Sequence, residues 1–218
     1  MRVRALQYAL GMAHPDIASR LPSLTSQLRD ATAPLREDRE LLSGRVTWLD
    51  YRLFLARMYG FHAVVERTLS SLRALAKVVP DAALRNHKAA LIAADLVALG
   101  VDRRELVQLP RMPFAGSLPI AEALGWTYVL ESSTLIGKQL HRHLARQLPA
   151  EIAGASAYLG CYGDEVQERW RQLGAALDSF EHADRDADRV IATACDGFLR
   201  LRSWMQPVAQ SRPARIHA

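Results

Sequence analysis

The chain has 218 residues, half of them apolar, with 12 glycines and 10 prolines, enough to bury one sizeable core and too apolar for extensive disorder. Its 28 basic and 23 acidic residues give a formal charge of +5 but are interleaved throughout, which argues against the basic stripe of a nucleic-acid-binding protein and leaves a solvated surface favouring anionic ligands. Two cysteines outside any CxxC pair rule out a disulfide framework, no apolar run nears the ~20 residues of a membrane span, and Arg2, Arg4, Gln7 and His14 interrupt any leader-like start.

A cytoplasmic protein with reduced thiols is therefore expected. Pro15 and Pro22 break residues 1–22, expected as an N-terminal extension, either loose or a helical arm. From Ser23, Leu24, Leu28, Ala31, Leu35 and Leu42 fall on or near one helical face, with a kink or break at Pro34. Thr47-Trp48-Leu49-Asp50 predicts a capping box for a helix over 50–59 that ends at Gly60, after which residues 61–78 continue helically to Pro80. Leu53, Phe54, Leu55 and Met58 read as core. Residues 85–99 form the next helix, with Gly100 as its C-terminal cap, and residues 101–119, with Pro110, Pro113, Gly116 and Pro119, form the main loop.

One long helix is expected over 124–148, between Pro119 and Pro149, with Ser132, Ile136, Leu140, Leu144 and Leu148 in a stripe at four-residue steps. An irregular small-residue piece follows, then a helix through ERWRQLGAALDSF. The last helix, about 184–206, places Val190, Ala194, Phe198, Leu201 and Met205 on one side. Period-two alternation is scarce. The expected fold is all-α, with a single domain over 23–206 and a flexible tail over 207–218.

Several runs carry a further pattern. Residues 128–139 read YVLESSTLIGKQ. Upstream, Leu28, Arg29, Thr32 and Glu40 fit the spacing Leu-Arg-x-x-Thr-x-x-x-His-x-x-x-Glu, with Arg36 in the histidine's place. The series continues with Tyr51-Arg52-x-Phe54-Leu55-x-x-Met58-Tyr59-Gly60-Phe61 and Glu66, then Asp95-Leu96-x-x-Leu99-Gly100, then Tyr162-Gly163 with Trp170. In order and spacing these runs, over about residues 24–206, resemble the heme oxygenases that accompany bacterial phytochromes.

The resemblance implies a single-domain helical fold with heme sandwiched between residues 28–40 and 128–143. Heme would be both cofactor and substrate, cleaved to biliverdin, CO and iron with electrons from a donor such as ferredoxin. Position 36 corresponds to the proximal iron ligand, and Arg29 to a propionate-binding basic residue, though a surface charge is an equal reading; Thr32 belongs to the same cofactor-binding segment. Ser132, Ser133, Ile136 and Gly137 correspond to distal-helix positions. There the family's YVLEGSTLGGQ carries glycines that let the backbone lie over the ring; Ser132 and Ile136 replace two of them.

Arginine presents donors and no lone pair, so Arg36 cannot ligate iron. The β-branched Ile136 fills volume that glycine leaves open. Arg36 needs a carboxylate partner, from Glu37, Asp38 or Glu40 nearby or from Glu131 across the cleft. His14, His62, His87, His182 and His217 read as surface or hydrogen-bonded residues. His141 and His143, two apart on a helix, make a poor metal pair. No metal ligand set is expected. The leading expectation is a degenerate member, a pseudoenzyme that binds heme weakly or not at all and acts by contact with a phytochrome or an authentic oxygenase. The alternative is an active oxygenase using an unconventional ligand or water on iron. No Glu-x-x-His, P-loop, GxGxxG, GxSxG or HExxH motif supports another enzyme class.

Overall fold

The computed structural model describes residues 46–206 except 115 and 181–183, together with Ala18, Arg20, Leu21 and Leu41. Among the described residues the regular structure is helical: α1 (Trp48–Ser70), α2 (Leu75–Val78), α3 (Ala82–Arg85), α4 (Lys88–Ala98), α5 (Arg103–Gln108), α6 (Ile120–Gln147), α7 (Pro149–Gly154), α8 (Val166–Asp178) and α9 (Asp184–Met205). The expected all-α class is what the structure shows.

Local chemistry sets several helix ends. The Thr47 capping box is formed: the Asp50 amide donates to Thr47 Oγ1 at 3.3 Å and the Thr47 amide to Asp50 Oδ2 at 2.8 Å. A second box, Asp102 with Glu105, opens α5 inside what the sequence presents only as loop. Helix α4 ends as expected, with Gly100 at φ +84° and its amide donating to Val97 O at 2.9 Å. Pro119 opens α6 four residues before the expected start, and Pro149 occupies the first turn of α7, so the chain turns at Leu148.

Gly60 corrects the sequence expectation. It lies inside the 23-residue helix α1, not at its end. The absence of a side chain there serves a close approach: a Cβ would collide with Pro110 O and lie 2.7 Å from the Trp204 ring. Around this contact, Trp204 Nε1 donates to Arg57 O at 2.8 Å, Arg57 Nη1 donates to Trp204 O at 2.7 Å, and the Met112 amide donates to Gly60 O at 3.1 Å. The glycine therefore joins α1, the 110–112 loop and the end of α9.

The longest interface pairs α6 with α9. Val190, Ala194, Phe198 and Met205 are buried and Leu201 half-buried, as the α9 pattern implies. Gly125 and Gly197 bring the two axes together, since a Cβ on Gly125 would lie 2.6 Å from Val190 O and one on Gly197 2.8 Å from Val129 Cγ2. One core cluster surrounds this interface and takes in Phe61, Trp126 and Leu173; a second joins Tyr51, Phe54, Leu96, Leu144 and Ile152. Leu21, expected within the extension, is wholly buried in the first cluster. Beside it the Ala18 amide donates to Asp178 Oδ1 at 2.8 Å and Arg20 pairs with Asp188 at 3.0 Å. The expected pattern around Leu24, Leu28, Ala31, Pro34, Leu35 and Leu42 lies outside the described residues.

Gly60→Ala is expected to cost about 1–3 kcal/mol through overpacking against backbone that cannot yield. Urea unfolding measures it, and a stability change within ~0.5 kcal/mol of zero contradicts the close-approach reading.

Candidate functional site

The site is built on α6, and the side chain that fixes its rotation is Glu131. Two carboxylate oxygens, 1% exposed in the residue as a whole, accept from Lys88 Nζ at 2.6 Å, Arg85 Nη1 at 2.9 Å and the Tyr162 hydroxyl at 3.0 Å. Arg85 and Lys88 are also buried, so the carboxylate exists there only because cations surround it. Both cations also donate to backbone: Arg85 to Pro80 O and Arg169 O, and Lys88 to Arg85 O. The Lys88 ammonium and the Arg169 guanidinium lie 4.9 and 4.8 Å from the Tyr162 ring centre. Tyr162 adopts φ +68°, a left-handed conformation that costs a side-chain-bearing residue of order 1–3 kcal/mol and persists only where its surroundings hold it. Burial, followed by the Glu131 charge, raises its hydroxyl pKa, which keeps it a donor.

Two further buried carboxylates brace the frame. Glu66 accepts the Ala89 amide at the start of α4 on both oxygens, at 3.2 and 3.1 Å. Asp95 accepts the Ala157 and Tyr158 amides at 2.8 and 2.9 Å; burial raises its pKa against those two bonds. Tyr51 closes the same corner by donating to Ala155 O at 2.7 Å.

With α6 so held, Ser132 and Ile136 are half-buried on one face. The Ser132 hydroxyl folds back to Val129 O at 2.6 Å and that of Ser133 to Leu130 O at 2.8 Å. Neither is paired with a base. Gly137 is turned toward the 156–160 turn, where a Cβ would lie 2.6 Å from Leu159 O. Its missing side chain is thus accounted for by protein packing. Lower on the stripe, Leu140, Leu144 and Leu148 are buried. Arg29, Thr32 and Arg36, with Glu37, Asp38 and Glu40, lie outside the described residues. Glu131, one of the carboxylates the sequence offered to Arg36, is paired with Arg85 and Lys88.

Sequence reasoning missed Arg85, Lys88 and Arg169 as members of this network. The available signal was weak: Lys88 is one of three lysines among 28 basic residues, and Tyr162 sits in a recognisable run.

The histidines divide. His62 is fully buried, with Nδ1 3.0 Å from Glu66 Oε1 and Nε2 3.4 Å from the Tyr158 hydroxyl, as a hydrogen-bonded histidine should be. Burial lowers its pKa although Glu66 opposes the shift. His143 differs: among the described residues its Nε2, like Nδ1 of His87, is buried without a hydrogen-bond partner, and it lies seven residues beyond Ile136, on the same helical face. No group of three or more histidine, cysteine or acidic side chains capable of holding a metal occurs among the described residues. Nor is any described helix long and apolar enough to cross a membrane.

A helical domain built around one long, largely buried central helix is the class these features define. The sequence model of the family described as heme oxygenase matches residues 15–207, and the chain belongs to that family. Its fold is similar to that of a heme oxygenase from Neisseria meningitidis solved with NO and CO bound, with TM-score 0.68 and 23% identity over 91% of this chain and 96% of that one. It is also similar to a heme oxygenase from Leptospira interrogans, with TM-score 0.72 and 16% identity over 87% of this chain and 98% of that one. At such identities the likeness carries the fold alone. No curated protein matches the chain.

Two measurements test this frame. Glu131→Gln leaves two cations buried around a neutral amide and is expected to cost about 3–5 kcal/mol in urea unfolding; a loss below ~1 kcal/mol contradicts the network's role. For His62, the unfolded chain takes up a proton near the ordinary value of 6.5 while the folded chain resists it. Stability present above that pH is therefore lost as pH falls, by up to about 1.4 kcal/mol per pH unit between the two pKa values. The slope below that pH should flatten in His62→Gln; an unchanged slope assigns the acid sensitivity elsewhere.

Proposed function

We propose that this protein is a degenerate heme oxygenase, one that keeps the family's fold but binds heme weakly or not at all and turns over little or none of it. The observation that carries the reading is the side chain at position 36. Arginine stands where the family's pattern places the histidine that grips iron, and a protonated guanidinium has no lone pair to give. The donor set at that position does not fit iron. The distal side agrees, because Ser132 and Ile136 place side chains on the face where glycines would leave the backbone bare. His62 is no ready replacement, because it is committed to Glu66 and Tyr158. In this reading the protein is cytoplasmic and acts by contact with a bacterial phytochrome or an active oxygenase.

One observation favours a second reading, an active oxygenase with an unconventional ligand and a donor such as ferredoxin. The unpartnered Nε2 of His143, on the Ser132–Ile136 face, is a buried acceptor or donor without an occupation.

Hemin titration separates the two. The wild-type protein is expected to give a weak Soret complex or none, whereas Arg36→His with Ile136→Gly should bind at least about tenfold more tightly, a gain of about 1.4 kcal/mol. A tight wild-type complex that yields biliverdin with ascorbate or a ferredoxin system defeats the degenerate reading. A folded double variant still indifferent to hemin means that the pocket is misplaced.

A further inference from the structure

A cleft of about 340 Å³ opens behind α6, lined by Thr134, Lys138, His141 and Arg142 of that helix, by Leu159, Gly160, Cys161 and Gly163, and by Val166 of α8. At 100° per residue, Thr134, Lys138 and His141 lie roughly half a turn from Ser132 and Ile136. The cleft is therefore on the opposite side of the helix from Ser132 and Ile136, and the Gly137–Leu159 contact stands between them.

Its two walls differ in kind. The inner wall is apolar or small: Leu159, Cys161 and Val166 are buried, and burial pushes the Cys161 thiol up to about 11, so it brings no charge. At the rim are Lys138, His141 and Arg142. Asp164 is the one acid paired there, and it is spent on Lys138 at 2.8 Å on the exposed surface. Arg142 has no acidic partner among the described residues; its Nε donates only to Lys138 O, at 3.3 Å. An uncompensated guanidinium and an imidazole thus flank an apolar recess. Anion and hydrocarbon are both accommodated, and neither alone uses the whole site. The volume lies at the small end of the ~300–1,000 Å³ typical of ligand pockets, too small for a tetrapyrrole and suited to a medium-chain or aryl acid.

We infer that the cleft between α6 and the 159–166 segment is a binding site for a small amphipathic carboxylate, with the carboxylate at Arg142 and His141 and the apolar body against Leu159 and Val166.

The test uses the full chain and three probes: octanoate, octanol and inorganic phosphate. Calorimetry should show saturable octanoate binding in the millimolar range or tighter, with octanol and phosphate each at least about fivefold weaker, since each lacks one half of the recognition. Arg142→Gln with His141→Gln, which alters rim side chains outside the core, should weaken octanoate about fivefold or more while leaving the circular dichroism spectrum unchanged. Octanoate should also slow alkylation of Cys161 by iodoacetamide without affecting Cys195, which places the ligand in this cleft. Three results each overturn the inference: no saturable octanoate binding, phosphate binding as tightly as octanoate, or full octanoate affinity in the double variant. The last would put the ligand elsewhere, for example on the Ser132–Ile136 face. Calorimetry on the variant decides this whatever the rate of thiol labelling.

Discussion

A carboxylate taken out of water must be surrounded, and in this protein the requirement is met at Glu131. Its neighbours come from α3, from the start of α4, and from the turn before α8, so three elements distant in sequence converge on a single pair of oxygens. Coulomb attraction in a dry interior is strong, but so is the cost of desolvation. The arrangement therefore contributes specificity of geometry more clearly than net stability. Rotating α6 by a few tens of degrees would strand a negative charge among apolar side chains and leave two cations without it. Tyr162 bears a side chain in a left-handed conformation within the same cluster, which shows how firmly the surroundings dictate the turn.

The rotation so fixed decides what each residue after Glu131 meets. Ser132 and Ile136 come to one half-buried face, Thr134 receives the Trp170 indole N–H at 3.2 Å, and Gly137 approaches the Leu159 carbonyl. A helix offers every side chain a direction, and neighbours determine which of those directions is filled. Among the described residues, Ser132 and Ile136 share the half-buried side of this part of α6. There the chain carries a hydroxymethyl and a branched hydrocarbon.

Glu66 and Asp95 perform a related task with less charge. Asp95 spends its oxygens on two backbone amides and Glu66 on the Ala89 amide and His62 Nδ1, so burial is compensated by hydrogen bonds to groups that would otherwise lack partners. Glu66 secures the start of α4 to α1, and Asp95 secures the 155–158 turn to α4. That turn is also what Gly137 packs against. The frame behind α6 is thus polar at its joints and apolar between them, with His62 held neutral by burial where the two meet.

Much of this was legible from residues alone. Periodicity and the placement of proline and glycine gave the helical class, the extent of α6 to within a few residues, the Thr47 box, the Gly100 cap and the buried side of α9. The ordered runs from Leu28 to Trp170 gave the family. These are local or pattern-level properties, written in sequence because helix formation and capping depend on neighbours within a turn or two. What the sequence could not supply were meetings between distant residues. Gly60 looks like a helix end, and only its contact with Pro110 and Trp204 shows it to be a point of close approach. Glu131 has an obvious charge but no visible partner until tertiary structure brings Arg85 and Lys88 to it, 46 and 43 residues away. Sequence alone thus determined the helical class, the longest helix and the family. Tertiary packing decided how α6 is turned and what its buried residues meet, because burial energies are set by who is adjacent in space.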